Sequence, residues 1–200
     1  MTKKYKTVVI DPPWPINFRS AQRVNKVRET EEGKHGYIKE ANYECCTLED
    51  IFDFPINDFA QDACLLFLWV TNGKIEGRSV IDIGFDILDR WAFKYHQMIT
   101  WVKHQGVAVF SPIRTITEHI LFAWRGNFRE LVKICGVIPS AFTTGGYQTK
   151  HSEKPPDFYR LLRKWTPKPR IDIFARRAHI GFDGWGDEYV GDGPLSEWIE

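Results

Sequence analysis

Apolar residues in this chain gather in short unbroken runs more than in long helical stripes. Val8-Val9-Ile10 and Ala63-Cys64-Leu65-Leu66-Phe67-Leu68-Trp69-Val70 have strand length and no polar alternation, the pattern of strands covered on both faces in a mainly parallel sheet. Further strands are predicted at 85–90, 96–102 and 119–124, and Arg170-Ile171-Asp172-Ile173-Phe174 alternates as another. Thr47-Leu48-Glu49-Asp50 has capping-box form and predicts a short helix that Pro55 ends. Asn72 predicts the cap of a helix running to about residue 82, with Gly84 as its stop. Pro155 and Pro156 suit a first helical turn, and Phe158, Leu161, Leu162 and Trp165 then fall at helical spacing as core residues. Polar stretches at 15–41 and 103–111 read as loops, as does 137–149 with Gly145-Gly146. Strands interspersed with helices predict an α/β fold, and no linker or repeat divides residues 1–200, so one domain is expected.

Composition narrows the class. The 200 residues are 43% hydrophobic and 26% charged, a globular balance, and no apolar run approaches the roughly 18 residues of a membrane span. The N-terminus passes straight into the first strand without a secretory segment, so a cytoplasmic protein is expected. Four cysteines without a C-x-x-C and six histidines without ligand spacing suggest neither a disulfide framework nor a metal site. A net charge of +1 argues against strong non-specific nucleic-acid binding. Charge is locally concentrated in Arg19, Arg23, Lys26 and Arg28, and in Lys164, Lys168, Arg170, Arg176 and Arg177.

The chemistry starts where the first strand ends, at Asp11-Pro12-Pro13-Trp14. Ligands of open α/β sheets bind beyond the carboxyl ends of strands, and these residue types suit methylation of an exocyclic base amine. That amine is a poor nucleophile because its lone pair is delocalised into the ring. The Asp11 carboxylate can accept one amine hydrogen and the Pro12 carbonyl a second, leaving the lone pair aimed at a methyl donor. Pro13 has no N–H and holds the segment extended. Trp14 offers a face on which a base can stack, worth about 1–3 kcal/mol. The polar stretch that follows is a candidate substrate loop. Ingredients for a nucleotide-type cofactor come late in the chain: Asp172 in a strand, Arg176 after it, then glycines to Gly186. Chemistry first and cofactor last describe a circularly permuted Rossmann-like domain.

Taken in order, these blocks resemble the permuted adenine-N6 methyltransferases named after the seventy-kilodalton subunit of the eukaryotic messenger-RNA adenosine methylase. The resemblance rests on Val9-Ile10-Asp11-Pro12-Pro13-Trp14, Leu66-Phe67-Leu68-Trp69-Val70-Thr71-Asn72, Glu118-His119-Ile120-Leu121 with Gly126-Asn127, His151-Ser152-Glu153-Lys154-Pro155, and Phe174-Ala175-Arg176-Arg177 with Gly184-Trp185-Gly186. The short chain and the Phe-Ala-Arg-Arg block look more like bacterial and phage members. The resemblance implies S-adenosylmethionine as donor, with Asp11, Pro12, Pro13 and Trp14 holding the adenine and Asp11 also beside the cofactor. It further implies Tyr43 as an aromatic of the substrate loop and Lys154 near the methionine end of the donor. Asp172 and Arg176 would then lie at the ribose, and Asp187 and Glu188 on the adenosine side. Many members carry Asn where this chain has Asp187, and His where it has Asn42. The expected substrate is DNA, ahead of RNA, and the alternative class is a non-catalytic nucleic-acid-binding partner subunit. Target choice is expected to come from loops, a homodimer or a separate recognition partner.

Overall fold

The computed structural model describes residues 3–16, 47–107, 112–132, 137–144 and 153–186. β1 (Tyr5–Ile10) is followed by α1 (Leu48–Phe52), closed by the expected capping box: Thr47 Oγ1 accepts from the Asp50 N–H at 3.1 Å, and Asp50 Oδ2 from the Thr47 N–H at 2.8 Å. Pro55 ends this helix but also opens a second one, α2 (Ile56–Phe59), which runs directly into β2 (Ala60–Val70). A small hairpin, β3 (Lys74–Ile75) and β4 (Arg78–Ser79), leads into α3 (Val80–Arg90). Then come β5 (Lys94–Val107), β6 (Thr115–Arg125), α4 (Phe128–Val132) and β7 (Ala141–Thr143). The last elements among the described residues are α5 (Pro156–Trp165), β8 (Arg170–Ile173) and β9 (Asp183–Trp185).

Among the described residues, seven strands form one sheet in the order β7-β5-β6-β2-β1-β8-β9. Four of its neighbouring pairs are parallel, and β6 runs antiparallel to both neighbours. Strand alternation explains the unbroken apolar runs, because each face has its own helical cover. Leu66, Leu68 and Val70 of β2 join Val8 and Ile10 of β1 in a core with Ile51, Ile56, Ile83 and Ile87 from α1, α2 and α3. Leu65, Phe67 and Trp69 join Val9 on the opposite face, beneath Leu131, Phe158, Tyr159 and Leu162 of α4 and α5. No helix among the described residues is long and apolar enough to cross a membrane.

Residues 72–90 differ from expectation: the helix predicted before Gly84 and the strand predicted after it are replaced by the β3–β4 hairpin and α3. Ser79 caps α3 by accepting from the Ile81 N–H at 3.2 Å, while the Asn72 amide donates to the Thr117 carbonyl at 2.9 Å. Gly84 lies inside α3, where a Cβ would come within 2.8 Å of Leu121 Cδ1 and 2.9 Å of Val70 Cγ1. The glycine therefore serves close helix-to-sheet packing and does not terminate the helix. β5 also runs through part of the expected polar loop, and β7 occupies part of another. On α5, Phe158 and Leu162 are buried as expected, whereas Leu161 and Trp165 are half-buried and Tyr159 takes a core position.

Candidate active site

Strand register places the site. Val9 of β1 pairs with Asp172 of β8 and with Phe67 of β2, so Asp11, Asp172 and Trp69 share the face covered by α5. Val70, at the end of β2, pairs with His119, which puts Glu118 at the same sheet edge and, by alternation, on the same face. Lys154 precedes α5 and enters this edge from above. Its Nζ lies 3.1 Å from Asp11 Oδ1, 2.9 Å from Glu118 Oε2 and 4.7 Å from the centre of the Trp69 ring. Lys103 of β5 pairs with the other Glu118 oxygen. Asp11, Lys154, Asp172 and Arg176 line one small cleft together with Glu153, Tyr159, Phe174, Ala175, Arg177 and His179.

The chain turns sharply to shape this cleft. Phe174 follows β8 with φ of 62°, a left-handed conformation that costs a non-glycine residue on the order of 1–3 kcal/mol. Its ring packs 5.4 Å from Trp185 and 5.5 Å from Phe54, which holds the turn in place. Gly186 passes so close to Ala175 that a Cβ would lie 2.6 Å from the Ala175 carbonyl oxygen. Only glycine permits that approach of two backbones.

Burial and charge act together on the titrating groups. Burial pushes the Asp11 carboxyl above its usual range, against the opposing pull of Lys154. Burial alone would also raise Glu118, but Lys154 and Lys103 outweigh it and hold this carboxyl low. Burial disfavours the Lys154 ammonium, yet Asp11 and Glu118 more than compensate and keep it charged. Asp172 is pushed up to about 8 by burial, and a hydrogen bond from Tyr159 only partly offsets the rise. His179, depressed to about 4 by burial, is neutral beside it. The cleft thus contains a charged lysine between two carboxylates and, deeper, a carboxyl that ionises only near the top of the physiological range.

Trp14 does not stand on an open lip. It is 8% exposed, belongs to the core that α1, α2 and α3 share with the sheet, and donates its indole N–H to the Trp69 carbonyl at 3.1 Å. A ring buried in this way anchors the turn and offers little face for stacking. Pro12 is buried and Pro13 half-buried, and the Pro12 carbonyl already accepts the Trp14 N–H at 2.8 Å. A second lone pair remains on that carbonyl for a ligand. Tyr43, Asn42, Asp187 and Glu188 lie outside the described residues. Of the late basic run, Arg170 is buried, and its guanidinium donates to the carbonyls of Arg163 and Thr166, capping the end of α5. Glu118, Tyr159 and His179 belong to the cleft region without having drawn a functional assignment from sequence. Glu118 and Tyr159 stand within or just after blocks of the resemblance; strand register brings Glu118 toward Asp11, and the packing of α5 over the sheet brings Tyr159 into the cleft with Asp172.

The chain is 25% identical over 204 residues to the Type II methyltransferase M.MunI of Mycoplasma sp, covering 93% of this chain and 78% of that one. It is 25% identical over 214 residues to the N6-methyladenosine RNA methyltransferase MTA1 of Pyricularia oryzae, covering 98% of this chain and 50% of that protein. With the human N(6)-adenine-specific methyltransferase METTL4 it shares 25% identity over 205 residues, covering 94% of this chain and 38% of METTL4. The chain thus spans half or less of these two eukaryotic relatives. The MT-A70 family model matches residues 5–188, nearly the whole chain, and the protein belongs to the MT-A70 family.

Proposed function

We propose that this protein is an adenine-specific N6 methyltransferase that uses S-adenosylmethionine and acts on DNA. The observation that carries the reading is Asp11, held at the end of β1 by Lys154 and facing a cleft that also contains Asp172 and Arg176. S-adenosylmethionine supplies an electrophilic methyl group on a cationic sulfonium. Its fit is supported by the donor set: buried carboxylates suit its positive groups and ribose hydroxyls, and Lys154 suits its carboxylate. Asp11 accepts one hydrogen of the adenine amine and the free lone pair of the Pro12 carbonyl accepts the other, which directs the nitrogen lone pair into the cleft. A carboxyl raised above its ordinary range is a better proton acceptor, so Asp11 is also suited to take the proton that the amine loses on methylation. Asp172 and Arg176 hold the donor ribose, with Asp187 and Glu188 on its adenosine side. Tyr43 contributes the aromatic of the substrate loop, and Trp14 fixes the turn beneath the adenine. In this reading the fold is permuted, residues 1–200 form one domain, and the protein works in the cytoplasm, as a homodimer or with a target-recognition partner.

DNA is favoured over RNA because the alignment takes in 78% of a Type II methyltransferase but half of the RNA methyltransferase MTA1. The intact, ion-paired Asp11 speaks against a non-catalytic partner subunit, which has no use for an amine-aligning carboxylate. Incubation of the purified protein with methyl-labelled donor and matched DNA and RNA, followed by nucleoside analysis, tests both points. Labelled N6-methyldeoxyadenosine is the expected product. Label confined to RNA would remove the DNA reading, and no label in either would remove the enzyme.

A further inference from the structure

Two lysines sit on two indoles at the carboxyl edge of the sheet, and one carboxylate joins them. Trp101 pairs with Glu118 across β5 and β6, so Lys103, two residues on, shares their face by strand alternation. Lys103 Nζ lies 5.0 Å from the centre of the Trp101 ring and Lys154 Nζ 4.7 Å from that of Trp69. The two rings are buried and meet edge to face, with centroids 6.1 Å apart. An ammonium is drawn to an indole face, so each lysine has a defined seat. Glu118 divides its oxygens between them: Oε1 accepts from Lys103, and Oε2 accepts from Lys154 at 2.9 Å. Lys154 in turn lies 3.1 Å from Asp11 Oδ1. Charges of alternating sign thus run from Lys103 through Glu118 and Lys154 to Asp11, across the carboxyl edge from β5 to β1.

We propose that Lys103 is a positioning residue for methyl transfer, holding Glu118 so that the Lys154 ammonium stays on Asp11. This rests on the reading of Asp11 as the acceptor of the adenine amine. With Lys103 in place the four groups carry two positive and two negative charges, and Glu118 has a cation on each oxygen. Without it two anions compete for one ammonium, which already lies nearer to Glu118 than to Asp11. Away from bulk water that competition is steep, because Coulomb attraction is weakly screened there. Lys154 then shifts onto Glu118. Asp11 Oδ1 loses the contact that fixes its carboxylate, and Oδ2 no longer meets the amine at the required angle. A misplacement of about 1 Å at a reacting group can cost about 100-fold in rate. Lys103 itself is not among the residues that line the cleft of Asp11 and Asp172, so its influence there passes through Glu118.

Steady-state kinetics of the full chain with methyl-labelled S-adenosylmethionine and DNA test this, alongside calorimetric titration of the donor. The Lys103 side chain is 31% exposed and Glu118 keeps Lys154, so Lys103→Met should remain folded, as its thermal midpoint will show. Its kcat should fall about tenfold while donor affinity stays within about twofold of wild type, because the lost alignment belongs to the reacting amine and not to donor binding. Lys103→Arg returns a cation to Glu118 and should recover most of the rate. In a Glu118→Gln background Lys103→Met should cost nothing further, because the lysine acts through the carboxylate. Wild-type kcat in Lys103→Met, no recovery in Lys103→Arg, a loss confined to donor affinity, or losses that multiply in the double variant would each overturn the proposal. Absence of methyl transfer by the wild-type chain would instead overturn the reading of Asp11, and the proposal with it.

Discussion

At the scale of single residues, Lys154 is the most constrained group in the site. It is 9% exposed and lies between Asp11 and Glu118, so its ammonium offsets two carboxylates that burial would otherwise force toward neutrality. From sequence it reads as a donor contact; its position makes it a structural group as well. Lys154→Met leaves two buried carboxylates without their shared partner, a change that costs on the order of 3–5 kcal/mol in comparable sites. The cost should depend on pH. Glu118 is held below its ordinary 4.5, so its contribution is present above that value and lost as pH falls through its lower folded value. The variant loses the Lys154 share of that contribution and keeps the Lys103 share, so its deficit in thermal midpoint should be larger at about pH 7.5 than at about pH 4. Thermal unfolding at both pH values checks this, and equal deficits would mean that Lys154 stabilises by packing its stem.

At the scale of elements, α3 shows how a local signal gives way to packing. Gly84 marks a helix end by propensity, since glycine costs a helix interior about 1 kcal/mol relative to alanine. Here it sits where α3 rests on β2 and β6, against Leu121 and Val70, both fully buried. Gly84→Ala should therefore destabilise the protein despite improved propensity, by about 1 kcal/mol net, because overpacking costs about 1–3 kcal/mol where neighbours have no room to move. Gly84→Val should cost more. Denaturant unfolding decides, and a stabilised alanine variant would show that α3 can lift off the sheet cheaply. The same contrast explains what was legible in the sequence. β1, β2, β8 and α5 carry unbroken apolar runs, a clear alternation or helical spacing, and the Thr47 capping box is local chemistry, so each could be read. α3 could not, because its glycine reports a distance to another element. β7 is three residues long and depends on pairing with Thr100, Trp101 and Val102. Asp11 and Asp172 stood out because carboxylates at strand ends need a reason. Tyr159 looked like one more core aromatic, and Trp14 looked available for stacking because a motif does not say which face of the sheet its ring will enter.

At the scale of the whole molecule, the buried groups of the cleft govern how stability varies with pH. Asp172 has its folded pKa raised to about 8, so the folded state holds a proton that the unfolded chain has released, and stability falls as pH rises from the ordinary carboxylate range toward 8. Asp11, also raised, acts in the same sense over its own range. His179 does the opposite. Depressed from 6.5 to about 4, it resists a proton that the unfolded chain accepts, so stability rises with pH across that interval, and His119, also lowered, adds to the rise. Between about pH 4 and 6.5 the opposing slopes nearly cancel. Above 6.5 the histidines are neutral in both states and Asp172 acts without opposition from them. Stability should thus be nearly level on the acidic side and then fall between 6.5 and 8, by an amount on the order of 1–2 kcal/mol. Asp172→Asn replaces the carboxyl with a neutral group of the same shape. It should abolish the fall and leave the variant more stable than wild type at pH 8, while donor affinity drops. Denaturant unfolding of both proteins at pH 6.5 and 8 provides the check: a parallel fall in the variant would locate the titrating group elsewhere. The expected pairing of higher stability with weaker binding follows from the site itself, because a carboxyl kept from water to meet a ligand strains the fold until the ligand arrives.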